Sequence, residues 1–376
     1  MKKNILLTQP SFNNKETKNV VKTINSGWVT QGNQVLKFEK SFFKYHKVNY
    51  AIATNSCTTG LHLILSALKL NKDDEIIVPA YTWISTANAV LYTNAKLVLV
   101  DVDKNTNNIC LTDLKKKINN KTKVIIVVHL FGLCADMIEI KKITSNKITI
   151  IEDAACATGS KIKNKFAGSF GLAASFSFHP RKIITTGEGG MITTSNKIFA
   201  KKLMQLRNHG ANLNYKKNIK PYFMPRFSEI GYNYRMTDIQ GAIGVEQMKK
   251  LSSFIFFRNK WAKYYSKKLK NIKWIILPTV PSNFTHSWQA YVIHIDKNIL
   301  KISRNKIMDY LKDNGIQTRP GTHAIHLLEI YKKKFGFKKK DFPGAVFCEE
   351  NSIALPLHNK MIKNDFDYII NSLKKI

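Results

Sequence analysis

The runs KVIIVVHL (123–130) and ITIIED (148–153) are apolar at nearly every interior position. Neither alternates with a period of two, so neither is a strand with one wet face; both read as strands covered by helices on both sides. Working outward, EIIVPA (75–80) and KLVLVDV (96–102) precede them and AASFSF (173–178) follows, each with the same branched, apolar character. Helical patterns such as TTGLHLILSALKL (58–70) and ISTANAVLYTN (84–94) lie in the gaps. Strand, helix, strand at this spacing predicts an α/β fold with a largely parallel sheet. After about residue 250 the rhythm changes. A Lys-rich amphipathic stretch, RNKWAKYYSKKLKN (258–271), leads to a separate set comprising WQAYVIHI (288–295) and SRNKIMDYLKDNG (303–315). The reading is a large domain over 1–250, N-terminal arm included, and a smaller one over 251–376.

The 376 residues, 44% of them hydrophobic, are enough to build a sizeable core, which excludes intrinsic disorder. Sixty Lys and Arg against 25 Asp and Glu give a formal charge of +35. Phosphate neutralisation by such charge is the footprint of nucleic-acid binding. Here, however, the basic residues are dispersed, Lys far outnumbers Arg, and no RNP, zinc-finger or basic-zipper pattern accompanies them. The charge reads as composition and a solvated surface, able to draw in an anionic small molecule; nucleic acid is not expected as a partner. Cysteines at 57, 110, 134, 156 and 348 contain no CxxC pair, so the expected compartment is a reducing cytoplasm. MKKNILLTQP has too short an apolar run for a signal peptide, and no apolar stretch is long enough for a membrane span.

In an open parallel sheet, ligands collect at the carboxyl ends of the strands. The residues found there are Tyr81-Thr82-Trp83, then His129, then Glu152-Asp153-Ala154-Ala155, and finally Ser177-Phe178-His179-Pro180-Arg181-Lys182. Asn55-Ser56-Cys57-Thr58-Thr59-Gly60 opens a helix with small, hydroxylated residues, which serve equally as a plain cap or as a phosphate cup. Asp153 closes an apolar strand; a shielded carboxylate needs a cationic partner, in a structural ion pair or a ligand. Trp83 is either core or one face of a sandwich whose other face is a small residue such as Ala155. Lys182 sits between an apolar strand and the glycine-rich turn TTGEGG (185–190), beside Arg181. A lysine of reduced solvation next to another cation is suited to act as a nucleophile and form a Schiff base. Together these residues meet the needs of pyridoxal phosphate: a lysine, an acid for the ring nitrogen, a stacking face and a phosphate site.

In order and wording, these segments resemble the DegT-type family of sugar aminotransferases. The most specific stretches are IIEDAACATGSK (150–161), SFSFHPRKIITTGEGGMITT (175–194) and GYNYRMTDIQGAIG (231–244), within a likeness running from residue 26 to residue 361. The resemblance implies an aspartate-aminotransferase-like fold, fold type I, with a mostly parallel seven-stranded sheet in the large domain and a smaller C-terminal α/β domain. It implies pyridoxal 5'-phosphate as cofactor, Lys182 as the Schiff-base lysine and Asp153 as the partner of the pyridinium nitrogen. Trp83 and Ala155 would flank the ring; Cys57, Thr58 and Ser177 would face the phosphate. Asn233 would reach the phosphate of a neighbouring subunit, implying a homodimer with shared active sites. Cys156 stands where many relatives carry Gln, Glu or His near the phenolic oxygen, and a thiol is a poor donor there. His179, Arg319 and His323 are implied on the substrate side. His323 and His326, three apart, have no carboxylate motif beside them, and no metal is expected.

The activity so implied is transfer of an amino group from glutamate to a nucleotide-linked keto sugar. The SFHPRK and GIQTRPGTH wording is most similar to the perosamine-synthase-like branch, which implies a 4-keto-6-deoxy hexose. Two other readings stand beside it. Some relatives dehydrate keto sugars and typically carry histidine in place of the lysine. The third reading is a basic nucleic-acid-binding or regulatory protein on the same fold.

Overall fold

The computed structural model describes residues 4–145, 147–212 and 224–376. Its main sheet has seven strands: β1 (Tyr50–Thr54), β2 (Glu75–Pro79), β3 (Lys96–Val100), β4 (Thr122–Val128), β5 (Thr149–Asp153), β6 (Ala173–Ser177) and β7 (Gly190–Thr194). Their order across the sheet is β1-β7-β6-β5-β4-β2-β3. Pairing is parallel from β3 through β2, β4 and β5 to β6, and β7 runs antiparallel to both β6 and β1. The α/β fold expected from the sequence is present, and the five apolar runs are β2 to β6.

Near-continuous apolarity has its reason in the packing. Successive residues of one strand enter opposite cores: Ile76 and Val78 join one apolar cluster and Ile77 the other, as do Ile126 and Ile125 of β4. Each such side chain, fully buried, contributes about 1.5–3 kcal/mol. GMITT of β7 lacks this signature, yet its threonines are satisfied in the interior, Thr193 Oγ1 donating to Gly168 O at 2.7 Å and Thr194 Oγ1 to Leu172 O at 2.6 Å.

A second, antiparallel sheet of β8 (Ile275–Ile276), β9 (Tyr291–Ile295) and β10 (Ser352–Leu355) follows. WQAYVIHI yields only β9, because Trp288 adopts a left-handed backbone (φ 54°) and stacks on His286 before the strand begins. Ile5 packs into the apolar cluster of this second sheet and bonds the backbone of Gly315 and Gln317. The helix Asp238–Leu269 runs without a break across residue 250, its later turns contributing Trp261 and Tyr265 to the same cluster. We keep the division into 1–250 and 251–376 as a proposal.

Several buried histidines tie stability to pH. His46 donates from Nδ1 to Phe42 O at 3.1 Å and accepts the Gly159 amide on Nε2 at 3.3 Å, which leaves no room for a second proton. Burial lowers His46 and His286 to about 3 and His294 to about 4, from 6.5. Below pH 6.5 the unfolded chain therefore binds protons that the folded chain refuses, and stability falls as pH falls toward those lower values. Urea unfolding at pH 7 and pH 5 should differ by on the order of 2–6 kcal/mol, the protein being weaker at pH 5.

Candidate active site

The carboxyl ends of β4, β5 and β6 open into a cavity of about 310 Å³. Asp153, the last residue of β5, is 5% exposed and lines it. Its Oδ2 accepts from Thr86 Oγ1 at 2.7 Å and its Oδ1 from the Ala155 amide at 3.1 Å. Among the described residues it has no ion pair, so the cationic partner anticipated from its shielding does not come from the chain.

The neighbouring carboxylate, Glu152, points the other way and is completely buried. It accepts from His129 Nε2 at 2.8 Å and from the amides of Gly168, Phe170 and Gly171, each at 2.7 Å. His129 Nδ1 in turn accepts the Ala135 amide at 3.1 Å. Burial alone would raise the Glu152 carboxyl; His129 and the amides outweigh it and hold the group below the usual carboxylate range. Its contribution is thus present at neutral pH and lost as pH falls through that lowered value. Glu152→Gln, which turns an NH₂ toward these donors, should cost about 3 kcal/mol in denaturant unfolding. Two adjacent acids on one strand therefore divide into a structural one and a cavity-facing one by the alternation of strand side chains.

Lys182 follows β6 in a turn closed by its amide on His179 O at 2.9 Å, and its Nζ lies 3.2 Å from Cys156 Sγ. His179 Nδ1 accepts the Arg181 amide at 3.2 Å; burial lowers its pKa, and the charges of Lys182 and Arg181 add to this, against Glu188. The turn after Lys182 needs glycine at two places. Gly187 has φ 83°, and a Cβ on Gly190 would stand 2.4 Å from Ser56 O. That close approach lets β7 run beside the start of the helix Cys57–Ala67. Ser56 caps this helix by accepting the Thr59 amide at 3.1 Å, leaving the first two amides, those of Cys57 and Thr58, without intrahelical partners. Burial, with Asp153 nearby, pushes the Cys57 thiol up, so this residue offers its backbone and not a thiolate.

The cavity gathers Cys57, Thr58, Trp83, Asp153, Ala155, Cys156, Ser177, His179, Lys182 and Arg319. Trp83 keeps 51% of its surface exposed. His323 is set back from the cavity, its ring 5.5 Å from that of Trp83 and its Nδ1 3.9 Å from Glu349 Oε1. Asn233 is exposed and does not line the cavity of its own chain. His326 is buried against Phe342.

The sequence reading did not find Thr86, Leu7, Thr8 or Gln289. Thr86 lies in the first turns of the helix Ile84–Leu91, four residues after Thr82, with their hydroxyls 3.0 Å apart. Leu7 and Thr8 reach the cavity because Leu7 bonds to Gln317 Oε1 at 3.4 Å and to the Leu357 amide, partners more than 300 residues away.

Comparison with solved structures assigns this architecture to the aspartate-aminotransferase type. Helicobacter pylori PseC, an aminotransferase involved in the biosynthesis of pseudoaminic acid, superimposes with a TM-score of 0.92 at 27% identity, covering 99% of each chain. The chain belongs to the DegT/DnrJ/EryC1/StrS aminotransferase family, matched over residues 10–374; its members are pyridoxal-phosphate-dependent sugar aminotransferases. It is 35% identical to GDP-perosamine synthase of Caulobacter vibrioides over 99% of this chain and 98% of that one. It is also similar to E. coli GDP-4-keto-6-deoxy-D-mannose-3-dehydratase with bound hydrated PLP, at 30% identity and a TM-score of 0.92 over 98% and 99% of the two chains.

Proposed function

We propose that this chain transfers an amino group from glutamate to a nucleotide-linked 4-keto-6-deoxy hexose, making an amino-dideoxy sugar for polysaccharide or glycan biosynthesis. The observation that carries the reading is Asp153: a buried carboxylate facing the cavity, held only by neutral donors, in the same cavity as Lys182. A protonated ring nitrogen is the cation it lacks, so the donor set fits pyridoxal phosphate. The free amides of Cys57 and Thr58 and the Ser177 hydroxyl fit the phosphate, and Trp83 and Ala155 offer the two faces for a flat ring.

Bound there, pyridoxal phosphate supplies an electron-poor ring and a carbonyl that links covalently to amines. Asp153 holds a proton on the ring nitrogen, and Thr86 fixes the carboxylate that does so. Lys182 Nζ would hold the cofactor and, when free, would be placed to take a proton from the donor's α-carbon and return it on the other side of the C–N unit. The same atom makes the reverse transfer when the keto sugar enters. Cys156 Sγ, 3.2 Å from Nζ, lies close enough to steady the amine between its roles. His179, Arg319 and His323 are proposed on the substrate side.

The enzyme is proposed as a cytoplasmic homodimer. Asn233, exposed and outside its own cavity, would serve a second copy, and the exposed apolar side chains Trp28, Leu36, Phe227 and Ile230 would be covered by it. Lysine at 182, where dehydrating relatives typically carry histidine, favours transfer over dehydration. Holoenzyme mixed with glutamate alone should release 2-oxoglutarate stoichiometrically. A panel of UDP-, GDP- and dTDP-linked keto sugars, scored by mass for conversion of C=O to CH–NH₂, then identifies the acceptor. Absence of 2-oxoglutarate release would contradict the proposal.

A further inference from the structure

The cavity holds more positive charge than the cofactor chemistry uses. With Lys182 and Asp153 assigned, Arg181 and Arg319 remain on its wall. Among the described residues neither guanidinium makes an ion pair. The other cavity-lining carboxylate, Glu188, is exposed, and its charge acts on His179. Arg319 is half-buried, and a cation withdrawn from water without an acid is costly. Burial, and after it the like charge of Arg181, lowers its pKa, which sets the two guanidiniums within each other's field.

Both are held in place. Arg319 donates from Nε to Pro320 O at 3.0 Å and from Nη2 to Gly321 O at 2.9 Å, so the Nε/Nη2 side of its guanidinium is spent on its own turn and the end-on N–H groups of Nη1 and Nη2 are left. It cannot clamp a carboxylate with two parallel bonds from Nε and Nη2. Arg181, exposed at the mouth, has its whole fork free, and its carbonyl is fastened by Gln289 Nε2 at 2.9 Å. An end-on pair of N–H groups inside and a full fork at the rim, both on one cavity wall, suit an extended anion with several oxygens better than a compact carboxylate next to the reacting carbon.

We infer that Arg181 and Arg319 form an anion subsite for the diphosphate of the sugar nucleotide, separate from the phosphate-facing helix start at Cys57. The inference rests on the sugar-nucleotide reading above. A diphosphate attached at the sugar's anomeric carbon lies across the ring from a reacting C4, which directs it from the lysine toward the rim. Glutamate, smaller and placed at the lysine, does not need the rim arginine.

The test titrates holoenzyme with UDP, GDP and dTDP by calorimetry and separately measures 2-oxoglutarate release from glutamate. Arg181→Gln should weaken the preferred nucleoside diphosphate about 10- to 100-fold, with Arg181→Lys recovering part of it, and should change the glutamate step by much less than it changes diphosphate binding. Lys333→Gln, a surface change of the same charge, should leave binding at the wild-type value. Wild-type binding of a diphosphate with undiminished affinity in Arg181→Gln would overturn the inference alone. Loss of the glutamate step in Arg181→Gln, with diphosphate binding intact, would also overturn it and assign the arginines to the donor's carboxylate. No diphosphate bound by the wild type would overturn both the inference and the sugar-nucleotide reading.

Discussion

Lys182→Ala is expected to reduce turnover at least ~10³-fold, because one side chain supplies both the covalent anchor and the mobile proton. The fold should be unaffected. Lys182 is partly exposed, and its Nζ contacts Cys156 Sγ without a buried ion pair, so the stability change should lie within ~0.5 kcal/mol. Two readouts separate chemistry from folding. The purified variant should give up its cofactor on dialysis, with loss of the visible absorbance band, while its denaturant midpoint stays at the wild-type value. A variant that kept the cofactor through dialysis and released 2-oxoglutarate from glutamate at a comparable rate would remove Lys182 from the mechanism.

The second large effect is at Asp153. Asp153→Asn preserves shape and hydrogen bonding: an amide oxygen can accept from the Ala155 amide, and Thr86 can turn its hydroxyl to accept the new N–H. What disappears is the charge that keeps the ring nitrogen protonated. Turnover should fall by roughly 10²–10⁴-fold, the range spanned by loss of a positioned acid–base partner, with cofactor still bound. Equal loss of cofactor and of stability in Asp153→Asn would instead make it a structural acid like Glu152. The contrast is built into β5: Glu152 is met by four donors from the chain, whereas Asp153 is left one cation short.

How far these features are legible in the sequence depends on their range. The central strands announce themselves because both faces are covered, so composition alone marks β2 to β6. β7 is silent, since its polarity is absorbed by carbonyls of residues 168 and 172 that only the folded chain brings near. Most of the candidate site was legible for a similar reason: its members follow strand ends, and a parallel sheet aligns those ends. Sequence order could not show that Asp153 lacks a cation while Glu152 is saturated, for that follows from where the loop 168–171 folds back. Nor could it connect Leu7 and Thr8 to the cavity, because their positions depend on backbone bonds to Gln317 and Leu357. The charge of +35 misleads at first sight. Its two arginines at the cavity, 181 and 319, matter more to the proposed substrate than the many lysines elsewhere.

Amino transfer is tested most directly by following nitrogen. Holoenzyme is incubated with ¹⁵N-glutamate and an accepted nucleotide-linked keto sugar, and products are read by mass spectrometry and ¹⁵N NMR. Amino transfer gives an amino sugar carrying ¹⁵N bonded to the former carbonyl carbon, formed in equal amount with 2-oxoglutarate. A deoxygenated sugar free of ¹⁵N, accompanied by labelled ammonia, would contradict it and establish a dehydratase.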